Sequence, residues 1–116
     1  MISRMCAALA LSLLAGCASD PVPEAQLQVT EQALAQARAV GTGAEQAELR
    51  QAEEGLAAAR QAVERQEFRQ ARMLAERAEL DARLAEAQTL TAKSRAQVAE
   101  LRNELRRLRT QLGEQP

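Results

Sequence analysis

The clearest chemistry in this chain belongs to a thiol. Leu14-Ala15-Gly16-Cys17 closes a short apolar run, Met5 to Leu14, that begins just after Arg4. A basic start, a short apolar stretch and small residues before a cleavage point make a secretory signal. The run is far shorter than the ~20 apolar residues of a membrane span. A cysteine directly after the small residues adds a second reaction. The thiol of Cys17 accepts a diacylglycerol, the chain is cut between Gly16 and Cys17, and the new amine is acylated. Leu14, Ala15 and Gly16 are then the residues the peptidase recognises. The alternative is an ordinary secretory cleavage in the same region, which leaves Cys17 an incidental thiol. Cys6 lies inside the apolar run and leaves with it.

A single acyl chain holds a protein to a bilayer only marginally, at ~0.8 kcal/mol per buried methylene, whereas two or more hold it stably. Lipidated Cys17 carries three chains when fully processed. Ala18 and Ser19 follow it and the first acid is Asp20, so the inner-membrane retention signal, an Asp directly after the lipidated residue, is missing. The expected address is the inner leaflet of the outer membrane, facing the periplasm; the alternative is the inner membrane.

Other chemistry fails on inventory. The chain has no His, hence no imidazole base and no His-based metal site. Ser94 stands beside Lys93, the only lysine, but a Ser-Lys dyad needs a buried amine and an oxyanion site, which an Arg-rich helix does not supply. Glu53-Glu54 and the Glu76/Glu79 pair read as solvated carboxylates with Arg neighbours. Gly41-Thr42-Gly43 lacks the length and the lysine of a phosphate loop. No enzyme activity, metal or cofactor is expected beyond the lipid on Cys17. Removing Arg4 from the 15 basic residues leaves 14 against 16 acids, which gives no reason to expect nucleic acid as a partner. Covalent tethering to the wall, as in the lysine-ended lipoprotein of enteric bacteria, is not expected of a chain ending Gly113-Glu114-Gln115-Pro116. Non-covalent contact with peptidoglycan stays open.

The elements that must carry these residues are helices. Pro21 and Pro23 mark a short tether; from Glu24 to Gln115 there is no proline, and Ala, Glu, Gln, Arg and Leu dominate. No cysteine follows Cys17, so no disulfide within the mature chain is possible. Phe68 is the only aromatic, and at ~25 cal/mol per Å2 an alanine-lined core yields little stabilisation. A marginal monomer and a search for partners follow.

Gly41-Thr42-Gly43 divides a first helix, about 23–40, from a second, about 44–65. Val29, Ala33, Ala37 and Val40 give the first an apolar face. Leu49, Ala52, Leu56, Ala59 and Val63 give the second a single stripe. Gly55 permits a close contact at about 1 kcal/mol of helix propensity. Around Arg65-Gln66-Glu67 the stripe loses phase and restarts at Phe68. A third helix, about 68–112, then carries a packing stripe of Phe68, Ala71, Ala75, Ala78, Ala82 and Ala85, continued by Thr89, Ala92, Ala96 and Ala99. Small residues let helix backbones approach closely. At 1.5 Å per residue the third helix spans roughly 65–70 Å and outruns the other two, leaving about Thr89 to Leu112 uncovered. A second stripe strengthens there: Val98, Leu101, Leu105, Leu108 and Leu112, flanked by Arg102, Glu104, Arg106, Arg107 and Arg109. Exposed leucines at heptad spacing call for another helix, in a second copy or another protein. The alternatives are a solvated helix or a tail folded back on its own hairpin. Glu79–Arg83 and Arg60–Glu64 are spaced as i,i+4 ion pairs.

Leu49, Ala52, Leu56 and Ala59, then Phe68, Ala71, Leu74-Ala75, Ala78, Asp81-Ala82 and Ala85, with the Gly41-Thr42-Gly43 turn before them, resemble the small bacterial envelope proteins grouped as domain of unknown function 4398. The resemblance spans about Pro23 to Ala99. It implies a helical envelope protein and no activity. Members often carry a Tyr-Ala-Pro-like element where Ala44 to Leu49 stands here, and some continue into a peptidoglycan-binding domain of the outer-membrane-protein-A type; this chain has neither. The Leu74-Ala75 region also resembles a tetratricopeptide-like hairpin, as one unit and not an array.

The expected protein is therefore all-α. Residues 1–16 form a removed lipoprotein signal, 17–23 a lipidated tether, 23–112 an antiparallel hairpin on a long, partly coiled-coil third helix, and 113–116 a tail. The expected role is a structural or protein-interaction module at the membrane surface. The alternative is an accessory subunit of an envelope complex or a peptidoglycan-associated binding protein.

Overall fold

The computed structural model describes residues 20–43 and 46–113. The signal residues, Cys17 and the last three residues lie outside them. Three helices follow in order: α1, Glu24–Ala39; α2, Ala47–Glu64; and α3, Phe68–Gln111. The second begins at Ala47, later than the 44 read from sequence, after a Gln46 in extended backbone. No strand occurs among the described residues. The expected all-α class and long C-terminal helix are the observed ones.

Both reversals use the same backbone device. After α1, the Gly41 N–H donates to the Arg38 carbonyl at 2.9 Å and the Thr42 N–H to the Ala37 carbonyl at 3.1 Å. This pair of bonds is a Schellman closure, which needs a left-handed residue; Gly41 supplies it at φ 83°. After α2, the Gln66 N–H donates to Val63 at 2.9 Å and the Glu67 N–H to Ala62 at 2.9 Å. Here the left-handed position is held by Gln66 at φ 63°. Sequence pattern located this turn without revealing its chemistry, because no glycine marks it.

Cross-helix bonds fix the directions. Arg38 pairs with Glu53 and Arg60 with Glu31, so α1 and α2 run antiparallel. Gln46 reaches Gln88 while Gly55 faces Ala78, so α2 and α3 are antiparallel as well. Gln36 bonds Glu86 and Lys93 bonds Val40, so α1 runs alongside α3 in the same direction. Residues 20–23 thus lead into α1 beside the N-terminal end of α3, and the α3 tail points away from them.

The core lies where the three helices meet, around Ala33, Leu34, Ala37, Leu49, Ala52, Leu56, Ala82 and Ala85. Small residues dominate it. Gly55 shows why: a Cβ added there would stand 2.9 Å from the Ala78 Cβ and 3.5 Å from its Cα. α2 and α3 approach so closely that one methyl group does not fit.

Three features differ from those expected of the sequence. The buried face of α1 is Thr30, Ala33, Leu34 and Ala37; Val29 is exposed and Val40 half-buried. The Thr30 hydroxyl lies 2.9 Å from the carbonyls of Gln26 and Ala75, tying α1 to α3. That bond and the small side chains beside it select the face. In α2 the stripe ends on buried Ala62, with Val63 half-buried. Arg60 pairs across to Glu31 and not along its own helix to Glu64.

Candidate interaction surface

Several polar side chains bond across helices and others within α3. Glu79 accepts from Gln26 at 2.7 Å and pairs with Arg83 at 2.5 Å. The Thr42 and Thr89 hydroxyls meet at 2.9 Å, and Thr89 also donates to the Ala85 carbonyl at 2.9 Å. Lys93 donates from Nζ to the Val40 carbonyl at 2.5 Å, placing a cation at the C-terminus of α1, where the helix dipole favours it. Lys93 is thus used as a helix cap. Ser94 lies on the exposed part of α3. Among the described residues no group of three or more His, Cys, Asp or Glu is placed to hold a metal ion. No described helix is long and apolar enough to cross a membrane. A concavity at the base of the hairpin, lined by Asp20, Gln66, Phe68, Met73 and Arg77 among others, brings no nucleophile and base together.

The two stripes of α3 have opposite fates. Ala71, Ala75, Ala78, Ala82 and Ala85 are completely buried against α1 and α2, and Phe68 at the helix start is half-buried. From Leu90 to Gly113 every residue is exposed. Val98, Leu101, Leu105, Leu108 and Leu112 are 46–76% exposed. Lys93 is the last residue of α3 to bond the hairpin, and the helix beyond it, 94–111, extends about 27 Å further at 1.5 Å per residue. Ala92, Ala96 and Ala99, which continue the packing stripe, have nothing to pack on and are exposed. Leu14, Ala15, Gly16 and Cys17 are outside the described residues.

The exposed apolar seam begins well before Val98. Stepping back from Val98 by alternating four and three residues gives Ser94, Thr91, Ala87, Leu84, Leu80, Arg77 and Met73. Met73, Leu80 and Leu84 are 59%, 66% and 48% exposed. The seam therefore runs the length of α3, weakened at Ala87-Thr91-Ser94 and interrupted at Arg77. At 100° per residue its mean direction lies about 160° from the buried alanine stripe. One face of α3 holds the hairpin, and the opposite face is apolar and bare.

This fold and these alternating alanines place the chain in a known class. It belongs to the family defined by the domain of unknown function DUF4398, whose model matches residues 25–101. The crystal structure of a DUF4398 family protein from Pseudomonas aeruginosa PAO1 resembles it with a TM-score of 0.78 at 53% sequence identity, over 81% of this chain and 98% of that one. No curated protein matches the chain.

Proposed function

We propose that this protein is a non-catalytic interaction module, anchored to the outer membrane through lipid on Cys17, that presents the tail of α3 to another helix. The observation that carries the reading is the exposed seam Val98, Leu101, Leu105, Leu108 and Leu112 on a helix projecting beyond its own hairpin. A solvated helix has no need of five large apolar residues in one line. Direction supports it too. The tether joins α1 beside the start of α3, so a lipid at Cys17 leaves the leucine tail at the far end, in the periplasmic space. The alternative role, an accessory subunit of an envelope complex or a wall-associated protein, uses the same anchor with a different contact.

The test is Leu101→Glu/Leu105→Glu, two charges on the seam beyond the hairpin. In dilute solution, where the chain is monomeric, the variant should keep its helix content and thermal midpoint, because neither residue touches α1 or α2; in the intact envelope it should lose its cross-links. Unchanged cross-linking would show that the seam is not the contact.

A further inference from the structure

We propose that the occupant of this seam is a second copy of the same chain, paired in parallel and in register along Val98 to Leu112. The inference rests on the interaction reading above and specifies its partner. In heptad terms Val98, Leu105 and Leu112 take the a positions, and Leu101 and Leu108 the d positions. Val98 is the one a residue that is β-branched, the type that with Leu at d suits two parallel strands; Leu105 and Leu112 leave strand number to the charges beside the seam.

The flanking charges choose the direction. The e positions of the tail are Arg95, Arg102 and Arg109; the g positions are Gln97, Glu104 and Gln111. In an antiparallel pair e faces e, so arginine meets arginine in every register. In a parallel pair g faces the next e of the other chain. Glu104 then meets Arg109 of the second copy, twice by symmetry, and Gln97 meets Arg102 without repulsion. Nearer the base, Glu76 meets Asp81 of the second copy and Arg77 occupies the seam itself, so pairing is confined to the free tail. α1 and α2 pack on the opposite face of α3 and stay outside the pair. Both copies also enter from the same end, as two chains anchored on one membrane must.

The area is sufficient. Five side chains about half exposed contribute on the order of 100 Å2 each, so two copies bury about 1,000 Å2, the threshold for a specific interface. An interface at that threshold is weak in dilute solution and gains from confinement on a surface.

The experiment uses the full chain with Cys6→Ser and Cys17→Ser. Sedimentation equilibrium should show a monomer–dimer equilibrium. Leu101→Glu/Leu105→Glu should weaken it at least about 100-fold. Glu104→Arg should weaken it about fivefold, and Glu104→Arg/Arg109→Glu should restore it. In oxidised glutathione, Val98→Cys and Leu108→Cys should each cross-link to themselves. Cross-linking only in a mixture of the two variants would mean an antiparallel pair and overturn the proposal. So would a monomer at every concentration up to about 2 mM, a range that reaches the mM effective concentrations tethering gives. If the monomer's seam variant still loses cross-links in the envelope, a different protein is the partner and the interaction reading stands. If those cross-links are unchanged, both readings fall.

Discussion

Replacing Gly55 by alanine sets two effects of opposite sign against each other. Intrinsic propensity favours alanine by about 1 kcal/mol in a helix interior. Packing opposes it. The added Cβ would sit 2.9 Å from the Ala78 Cβ, 3.5 Å from the Ala78 Cα and 3.7 Å from the Leu74 carbonyl oxygen. Carbon atoms pack best at about 3.5–4.0 Å, so the helices must separate by roughly 0.7 Å. The obstacle is a backbone-fixed methyl that no rotamer can move. Overpacking of this kind costs about 1–3 kcal/mol. A gap of 0.5–1 Å also forfeits a quarter to a half of each dispersion contact along the seam, where Ala52 and Ala59 are completely buried. The net expectation is destabilisation by about 1–2 kcal/mol. In a domain of this size it lowers Tm by about 5–15 °C. Circular dichroism during thermal and urea unfolding reads it directly. Gly55→Ala/Ala78→Gly, which moves the methyl across the contact, should recover part of the loss, with a coupling of at least about 1 kcal/mol. Stabilisation of the single variant by about 1 kcal/mol, as propensity alone dictates, would refute the close approach of α2 and α3.

Other perturbations follow from the same contacts. Gln66→Gly should stabilise the fold by about 1 kcal/mol in urea unfolding, because Gln66 holds a left-handed conformation at φ 63° that glycine adopts without a Cβ penalty. Thr30→Val keeps the volume and removes the hydroxyl shared with Ala75 and Gln26; it should cost about 1 kcal/mol in the same measurement. Leu49 is 2% exposed and among the few large side chains of the core, so Leu49→Ala should cost about 2–4 kcal/mol and leave a marginal fold largely unfolded by calorimetry at 37 °C.

What sequence conveyed depended on whether neighbouring residues or distant ones decided the outcome. The alanine stripe of α3 was legible because its 3–4 spacing repeats over several turns. The uncovered tail was legible because length alone shows that two short helices cannot sheathe a long one. The face of α1 was not. Alanines at several phases offer equivalent stripes, and the choice among them is made by the Thr30 hydroxyl reaching the Ala75 carbonyl, 45 residues away. A search for apolar types passes over threonine and settles on Val29. Arg60 shows the same limit, since sequence exposes Glu64 one turn on and hides Glu31 on another helix. The Gln66 turn was located by a change of phase, but a left-handed glutamine leaves no compositional mark. Met73, Leu80 and Leu84 lie on the heptad spacing of Val98, but Ala87, Thr91 and Ser94 between them break its apolar pattern.

The distribution of residue sizes on α3 bears on what this helix is for. An isolated three-helix rod gains most by turning its leucines inward and its alanines out. Here alanines face the hairpin and leucines face solvent. Inward, the small side chains allow the close approach seen at Gly55 and Ala78 but bury little area per residue. Outward, Val98, Leu101, Leu105, Leu108 and Leu112 are covered only by their own helix in the single chain and stay 46–76% exposed. They become stabilising only when another helix covers them. Any partner on that seam therefore contributes apolar burial that the monomer lacks. For the proposed second copy, association is favoured where chains are held together on one surface. Beyond Lys93, whose amine bonds the Val40 carbonyl, the tail packs on neither α1 nor α2, so pairing would order the helix where its own fold gives no support.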